Sequence, residues 1–355
     1  MTIAELDTPA MLVDLDIFER NLKHVAGYAA KHGLRLRPHT KTHKSPEIAR
    51  LQMELGAAGL TVAKVGEAEV MVEALPPMDL LVAFPIFGER KVARLREIAR
   101  RTPVTVALDS LEAARQLEGL GVLVLVEVDV GLGRVGVQPC DALDLARAIG
   151  QVAGVRFRGL TFYPGHIKQH DPEGIKKLSD DVGRMVAGFR RAGLAPELVS
   201  GGSTPALFHS HEIEGLNEIR PGTYVYNDLN TIVSGACTLE DCAASVLVTV
   251  VSTPRAGAAI MDGGSKTFSS DRLSSSEAPS FGQVAEAPGA RFHKMNEEHG
   301  FLDIAEAGRG LHLGERLRVI PNHVCVAMNL HEQVYGVRGD TVERVWKVEA
   351  RGRLQ

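Results

Sequence analysis

Short apolar runs rich in β-branched residues alternate with longer amphipathic stretches over the first two-thirds of the chain. Such alternation predicts βα units around a parallel sheet. Between residues 16 and 32, apolar residues recur at helical spacing, which predicts a helix with one buried stripe. The strand-like runs that follow occupy residues 34–39, 59–65, 79–85, 105–109, 122–130, 155–163, 197–202 and 222–228.

Amphipathic stretches between these runs predict the crossover helices. They occupy residues 46–55, 67–74, 89–101, 111–120, 142–152 and 174–192. Eight strands joined mostly by helices favour a (β/α)8 barrel over an open doubly wound sheet. After residue 235, Gly and Pro separate short strands and helical periodicity is lost, which predicts an all-β domain. We therefore expect a barrel at 16–235 and a β-domain formed by 1–15 together with 236–355.

The composition is that of a globular protein, with 45% hydrophobic and 24% charged residues. The 40 Lys and Arg against 44 Asp and Glu give no sign of the basic surface that nucleic acid or an anionic membrane requires. Acidic residues near the N-terminus and the lack of a long apolar run predict a cytoplasmic protein. The four cysteines have no CxxC spacing, and we expect free thiols.

Lys41 lies in a basic and imidazole-rich segment, residues 37–44, where the first barrel strand would end. Catalytic groups of barrels lie at the C-terminal ends of their strands. A lysine there can form a Schiff base with a carbonyl substrate or with pyridoxal phosphate, provided that burial or cationic neighbours lower its pKa. A solvated basic turn ahead of a helix explains the segment equally well.

Two segments of small residues lie beside the last two predicted strands. One follows the seventh strand, and the other lies at the start of the eighth. Ser203 and Thr204 belong to SGGSTP after the seventh strand, and Gly222 and Thr223 belong to RPGT at the eighth. Loops in these positions commonly bind phosphate, because small residues let backbone N–H groups reach the oxygens. Together the two loops indicate a phosphate site.

Residues 131–136 fit the pattern GxGxxG after the fifth strand. A dinucleotide site is disfavoured, because Gln138-Pro139 delays any helix and the next strand ends without an acidic residue. Arg134 within this loop is better suited to hold an anionic or phenolate oxygen.

Three histidines and one cysteine carry further candidate chemistry. His323 and Cys325 would point to one side of a strand, as two ligands of a metal whose other positions stay open to water or substrate. A chance His and Cys in a β-domain is the alternative. His166 and His170 follow the sixth strand near Tyr163, and are either acid–base groups or surface histidines.

Seven motifs, in order from about residue 6 to the C-terminus, resemble the D-threonine aldolase and D-serine dehydratase family. They are DTPA, RPHTKTHK, VEVDVGLGRVGV, SGGSTP, RPGTY, NEEHG and PNHVC. The resemblance implies an alanine-racemase-like fold, in which a pyridoxal-phosphate barrel precedes a β-domain. It also implies a homodimer that acts on a small D-3-hydroxy amino acid.

The resemblance further implies roles for individual residues. Lys41 would carry the pyridoxal phosphate, Arg134 would contact its phenolate oxygen, and Tyr163 would lie beside its ring. The residues expected to hold its phosphate are Ser203, Thr204, Gly222 and Thr223. His323 and Cys325 would bind a divalent metal such as Zn, Mn, Mg or Co beside the substrate.

Two lyase reactions are consistent with this resemblance. His-x-Cys resembles the dehydratases, which release water and ammonia to leave a 2-oxo acid, whereas the aldolases carry His-x-Asp. Gln169-His170, the VEVDVGLGRVGV run and Asn329-Leu330-His331 resemble the aldolases. We expect retro-aldol cleavage to glycine and an aldehyde, with His170 or His166 as the base. The first alternative is a D-serine or D-3-hydroxyaspartate dehydratase, and the second is an amino-acid racemase, which would need a second base and no metal.

Overall fold

The computed structural model describes residues 1–167, 171–273 and 280–355. These residues form two compact units. The β-unit comprises 1–23, 42–44 and 223–351, and the barrel unit comprises 24–41, 45–222 and 352–355. β1 (Ala10–Asp14) lies in the β-unit, whereas α1 (Leu15–Lys31) contributes residues to both units.

The barrel unit alternates strands with helices. Its strands are β2 (Arg35–Leu36), β3 (Leu60–Val62), β4 (Leu80–Val82), β5 (Val104–Leu108), β6 (Val122–Val128), β7 (Val155–Phe162), β8 (Leu198–Gly201) and β9 (Glu218–Ile219). Its helices are α2 (Pro46–Glu54), α3 (Val65–Ala74), α4 (Glu89–Ala99), α5 (Leu111–Gln116), α6 (Ala142–Ile149), α7 (Pro172–Arg191) and a 3-10 helix at Leu207–Glu212.

These strands form one parallel sheet in the order β2-β9-β8-β7-β6-β5-β4-β3. The sheet closes because the segment after β2 pairs with β3. Thr61 N donates to Pro38 O, and Thr40 N donates to Thr61 O, both at 2.8 Å. The predicted (β/α)8 barrel is confirmed, and the loops that carry the candidate residues follow the C-terminal ends of its strands.

The eighth barrel strand lies earlier than the sequence pattern predicts. It is β9, whereas the expected strand at 222–228 is wrong, since this segment contains a 3-10 helix at Thr223–Val225. Tyr226 N and Asn227 N both donate to Thr223 O, at 3.0 and 2.8 Å, and so turn the chain. Tyr224, Val225 and Tyr226 in this segment are all buried, without alternation, so the segment has the composition of a buried strand.

The strands that follow the barrel unit all lie in the β-unit, together with three short helices among its described residues. The strands are β10 (Ala244–Arg255), β11 (Ala258–Met261), β12 (Gly282–Val284), β13 (Arg291–Met295), β14 (Gly300–Asp303), β15 (Arg316–Pro321), β16 (Gln333–Arg338) and β17 (Thr341–Lys347). The helices are α8 (Leu229–Val233), α9 (Ser265–Phe268) and α10 (Val324–Leu330), with 3-10 helices at Ile3–Glu5, Thr223–Val225 and Leu239–Asp241.

The strands of the β-unit form one sheet in the order β11-β14-β13-β12-β15-β10-β1-β16-β17. Pairing of β10 with β11 closes six of them into an antiparallel barrel. β1 extends the sheet from β10 and runs parallel to β16. The C-terminal all-β architecture expected from the sequence is confirmed.

A network of buried charges crosses the inside of the (β/α)8 barrel. Arg37, 1% exposed, pairs through Nη2 with Asp79 Oδ2 at 2.9 Å and through Nε with Glu218 Oε1 at 2.9 Å. Arg158 reaches both oxygens of Asp79, at 2.9 and 2.8 Å. Because β7 and β4 are not neighbouring strands, the Arg158–Asp79 contact must cross the barrel interior.

Ion pairing decides the charge state of the two acids in this network. Burial alone would raise the pKa of Glu218, but Arg37 and the Ser200 hydroxyl lower it below its usual value. Burial likewise opposes ionisation of Asp79, and the hydrogen bonds from Arg158 and Arg37 bring its pKa below the usual value. Both carboxylates are therefore ionised at neutral pH.

None of the helices in the described ranges combines the length and the apolar character that crossing a bilayer requires.

Truncation of Arg37 should destabilise the barrel strongly. Arg37→Ala leaves the fully buried Glu218 with only the longer ion pair to Arg35, at 3.4 Å, and we expect a loss of about 3–5 kcal/mol in the free energy of unfolding. The matched control is Arg100→Ala, which removes an exposed pair with Glu97 and should cost about 0–1 kcal/mol. Urea unfolding measures both, and equal losses would show that the buried network contributes no more than a surface pair.

Candidate active site

Lys41 lies exposed on a segment that is otherwise buried and held by the sheet. Thr40 bonds Thr61 O through both its N–H, at 2.8 Å, and its hydroxyl, at 3.1 Å. Lys41 N also donates to His39 Nδ1 at 3.4 Å, and the next residue, Thr42, is fully buried. The fold therefore presents the Lys41 amine at the C-terminal end of β2 on a well-anchored backbone.

Ser203 lies in a cradle of small residues after β8. Its hydroxyl is buried and has no hydrogen-bond partner among the described residues. Gly202 adopts a φ of +94°, and a Cβ on Gly201 would lie 2.5 Å from the Phe162 ring. An unpartnered buried hydroxyl costs free energy in an empty site, and it fits a site that an anion completes.

Neighbouring residues line the same part of the barrel unit. Thr204 is 9% exposed and Gly222 is buried. Arg220 N donates to Gly201 O at 3.3 Å, so the two small-residue loops are joined. The buried Arg220 guanidinium bonds Thr161 Oγ1 at 2.6 Å and Ser200 Oγ at 2.7 Å.

Arg134 and Tyr163 approach each other in the barrel unit. The Arg134 Cζ lies 4.9 Å from the centroid of the Tyr163 ring, a cation–π distance. The Arg134 loop is shaped by Asp129, which accepts hydrogen bonds from Gly131 N at 2.9 Å and Gly133 N at 3.1 Å. The guanidinium itself is exposed and available to a ligand.

His166 lies exposed over the same loop. A Cβ on Gly131 would be 3.4 Å from His166 Cε1, so the imidazole packs against the glycine. The pKa of Asp129 is lowered by the hydrogen bonds from Gly133 and Gly131 and, to a lesser extent, by His166. The second candidate, His170, lies outside the described residues.

The local structure expected for the His323–Cys325 pair is wrong. The two residues do not share one side of a strand, since His323 is the N-cap of α10 and Cys325 lies in its first turn. The helix begins here because Asp228 Oδ2 accepts a hydrogen bond from Val324 N at 2.9 Å. The two side chains nevertheless come together, because Cys325 is a hydrogen-bond partner of His323.

The Asp228 carboxylate contacts the His323 ring and helps to fix its orientation. Its Oδ2 lies 3.4 Å from His323 Nδ1, and its Oδ1 caps α8 through Thr231 N at 2.8 Å. Burial disfavours the imidazolium, but the hydrogen bonds to Asp228 and Cys325 outweigh it and raise the pKa of His323 to about 11. The free imidazole is therefore protonated at neutral pH, and a metal that binds there must displace this proton.

Two threonine hydroxyl groups lie close to the Cys325 sulfur, and a buried tyrosine interacts with the same cysteine. Thr42 Oγ1 lies 3.1 Å from Sγ and Thr223 Oγ1 lies 3.7 Å from it. The Tyr226 hydroxyl interacts with Cys325, is buried and has no hydrogen-bond partner in the described part of the chain, and burial raises its pKa. A buried hydroxyl without a hydrogen-bond partner, next to other polar groups, fits a site that binds an ion or a polar ligand.

The donor set at this place is a pair rather than a complete cage. Within residues 1–167, 171–273 and 280–355, no group of three or more His, Cys, Asp or Glu is arranged to hold a metal ion. An imidazole and a thiol with a carboxylate behind the imidazole match the chemistry of an open site for a divalent transition metal.

Sequence analysis missed Asp228 and Thr42. An Asp ahead of Leu229 is a recognisable helix N-cap signal, but it was hidden because the preceding residues resemble a strand. Thr42 carries no such signal, since its contact with Cys325 spans 283 positions.

Comparison with known proteins identifies both parts of the chain. Residues 13–230 match the family model of the alanine racemase N-terminal domain, and residues 243–337 match that of a serine dehydratase domain. D-threonine aldolase of an Arthrobacter species is 33% identical over 99% of this chain and 94% of its own length. D-threo-3-hydroxyaspartate dehydratase of Delftia sp. (strain HT23) is 32% identical over 98% of both chains.

A solved structure agrees with these matches over the whole length. The crystal structure of D-threonine aldolase from Filomicrobium marinum superposes with a TM-score of 0.91 at 33% identity. The match covers 100% of this chain and 98% of that one.

Two serines near the cradle should respond differently to truncation. Ser200→Ala removes hydrogen bonds to Glu218 and Arg220 and should lower the free energy of unfolding by about 1–3 kcal/mol. Ser203→Ala removes an unpartnered buried hydroxyl from the ligand-free chain, so it should leave the free energy of unfolding unchanged or raise it by up to about 1–3 kcal/mol. Urea unfolding of the ligand-free protein tests this, and a large loss at Ser203 would contradict an unpartnered hydroxyl.

Proposed function

Because this chain belongs to the alanine-racemase-like family that includes D-threonine aldolase and D-threo-3-hydroxyaspartate dehydratase, we propose that it is a pyridoxal-phosphate-dependent and divalent-metal-dependent lyase. The substrates are D-3-hydroxy amino acids, and the reaction is the retro-aldol cleavage of a D-threonine aldolase, giving glycine and an aldehyde. The main observation in favour of cofactor binding is the buried hydroxyl of Ser203, which has no hydrogen-bond partner among the described residues. The same barrel also presents an exposed lysine, Lys41.

Ser203 and Thr204 would hold the cofactor's phosphate together with Gly222 and Thr223. The support is the buried cradle, where small residues expose backbone N–H groups to an anion. Lys41 would bind the cofactor's carbonyl carbon covalently. Arg134 would hold the phenolate oxygen, and Tyr163, already in contact with Arg134, would lie against the ring.

The bound cofactor would supply an electron sink for the bonds at the substrate's α-carbon. The chain's own part is to choose the bond that breaks, by fixing the substrate's orientation. His170 or His166 would take the proton from the substrate's β-hydroxyl, which releases the aldehyde. An imidazole suits this step because its usual pKa lies near neutral pH.

His323 and Cys325 would bind the divalent metal, which would supply Lewis-acid chemistry toward the β-hydroxyl. Asp228 supports this assignment, because a carboxylate on the far nitrogen of an imidazole fixes the ring for metal binding. Within the β-unit, the Thr42 hydroxyl lies 3.1 Å from the Cys325 sulfur and adds a polar group beside the pair.

Dehydration is the second candidate, and Cys325 is the observation that favours it. A sulfur ligand beside His323 resembles the dehydratase branch, and a relative named as a dehydratase is as similar as one named as an aldolase. In that case Lys41 would remove the α-proton, and the β-hydroxyl would leave as water. The two reactions therefore differ in which proton the protein removes.

Replacement of Lys41 tests the cofactor assignment. Lys41→Ala should abolish the covalent attachment of pyridoxal phosphate that borohydride traps, because no amine is left at this position. Lys64→Ala is the control and should retain the trapped adduct. Mass spectrometry of the digested protein locates the label, and an adduct that persists in Lys41→Ala would assign the attachment to another lysine.

Product analysis decides between the two reactions. D-threonine should give glycine and acetaldehyde, and a chelator should suppress both products. His170→Ala should slow glycine formation roughly 10²- to 10⁴-fold through loss of a general base, whereas replacement of an exposed histidine outside the motifs, His312→Ala, should not. Pyruvate and ammonia from D-serine, with no glycine from any D-3-hydroxy amino acid, would overturn the aldolase in favour of the dehydratase.

A further inference from the structure

Cys237 and Cys242 form a pair of thiols in the β-unit that the proposed reaction does not use. Both are free, Cys237 is partly exposed, and Cys242 is buried. The two thiols are hydrogen-bond partners of each other. Cysteines in such proximity can be joined by a disulfide when an oxidant is supplied.

The segment between the two cysteines brings them together. Asp241 N donates to Thr238 O and Cys242 N donates to Leu239 O, both at 3.1 Å, so the chain folds back on itself. The Asp241 carboxylate caps this turn through Thr238 N and Oγ1, both at 2.9 Å. As a result, the Cys242 sulfur lies 3.9 Å from the carbonyl oxygen of Thr238, the residue next to Cys237.

We propose that Cys237 and Cys242 are a redox-active dithiol that closes reversibly into a disulfide and thereby weakens the metal pair at His323. With hydrogen peroxide as oxidant, the Cys237 thiol is converted to a sulfenic acid with release of one water. The Cys242 sulfur then attacks that sulfur, a second water leaves, and the disulfide forms. A low-molecular-weight disulfide gives the same bond and is itself reduced to two thiols.

The environments of the two thiols assign the order of these steps. Cys237 meets the oxidant because its surroundings, residues 238–240, are exposed. Cys242 packs in an apolar cluster with Leu229 and Ile320, so no oxidant reaches it directly. The hydrogen bond to Cys237 and burial raise the pKa of Cys242, which disfavours its thiolate while Cys237 is reduced.

The pair is connected to the metal pair within the β-unit. The segment before Cys237 is bonded to the end of α8, where Ala236 N donates to Thr231 O at 3.2 Å and Ser234 Oγ donates to the same oxygen at 2.7 Å. Thr231 in turn donates to Asp228, the carboxylate that faces His323. Closing the disulfide pulls Cys237 toward the fixed Cys242, and this movement acts on Asp228 through α8.

Peptide mapping tests the pair on the full-length holoenzyme. Trypsin should release residues 192–255 as one peptide, because Pro221 blocks cleavage after Arg220, and it contains Cys237 and Cys242 but neither Cys140 nor Cys325. After treatment with peroxide or with glutathione disulfide, this peptide should be two hydrogen atoms lighter, and dithiothreitol should restore its mass. An unchanged peptide under conditions that oxidise the exposed Cys140 would overturn the proposal.

Two serine variants test the order of the steps. Cys242→Ser should accumulate a sulfenic acid at Cys237 that dimedone labels, whereas Cys237→Ser should leave Cys242 unlabelled. Labelling of Cys242 in Cys237→Ser would contradict the assigned order.

Calorimetric titration with Mn²⁺ tests the connection to His323, a step that rests on the proposed metal site. The oxidised enzyme should bind Mn²⁺ roughly tenfold more weakly than the reduced enzyme, the usual effect of disturbing a group behind a metal ligand. Cys237→Ser should bind equally well before and after oxidant treatment. Equal affinity of both forms of the natural chain would overturn the connection. A chain that binds no Mn²⁺ in either form would refute the metal site. Peptide mapping would still show whether Cys237 and Cys242 form a disulfide.

Discussion

The buried charge network inside the (β/α)8 barrel determines where the first strand and the lysine beyond it can lie. Arg37 is held by Glu218 on β9 and by Asp79, which immediately precedes β4, and Arg158 on β7 also binds Asp79. A buried charge is tolerated only with its partners in place, so these contacts permit a single register of the segment. Lys41 follows only four positions later, on backbone that also pairs with Thr61.

Asp228 plays the corresponding part in the β-unit. One oxygen of its carboxylate caps α8, and the other caps α10 and faces the His323 ring. One side chain thus sets the start of two helices and the orientation of a candidate metal ligand. This arrangement also explains how a change at Cys237, near the end of α8, can reach His323 without a direct contact.

Similarity to known enzymes establishes the family, while the chemistry depends on a few side chains. A relative named as an aldolase and one named as a dehydratase are 33% and 32% identical to this chain, so the scaffold suits both reactions. As proposed, both reactions would use the same lysine, the same anion cradle and a polarised β-hydroxyl. They differ in the group that removes a proton, which is a property of individual residues and their pKa values.

The sequence alone determined the features that depend on local patterns. Alternating apolar runs and amphipathic stretches record burial along the chain, so they predicted the barrel, most of its strands and helices, and the all-β character after residue 235. Small residues in SGGSTP likewise predicted a phosphate site, which stays a prediction, and Ser203 in this segment is buried. Such signals survive in sequence because each depends on residues only a few positions apart.

Only the tertiary structure decided what depends on distant partners. The strand expected at 222–228 turned instead, and α10 began at Val324 because Asp228, 96 positions away, supplied its cap. The contact of Thr42 with Cys325 and the pairing of Arg37 with Glu218 also join distant segments. Hydrogen bonds and ion pairs of this kind form only once folding has brought both partners together, so no local pattern records them.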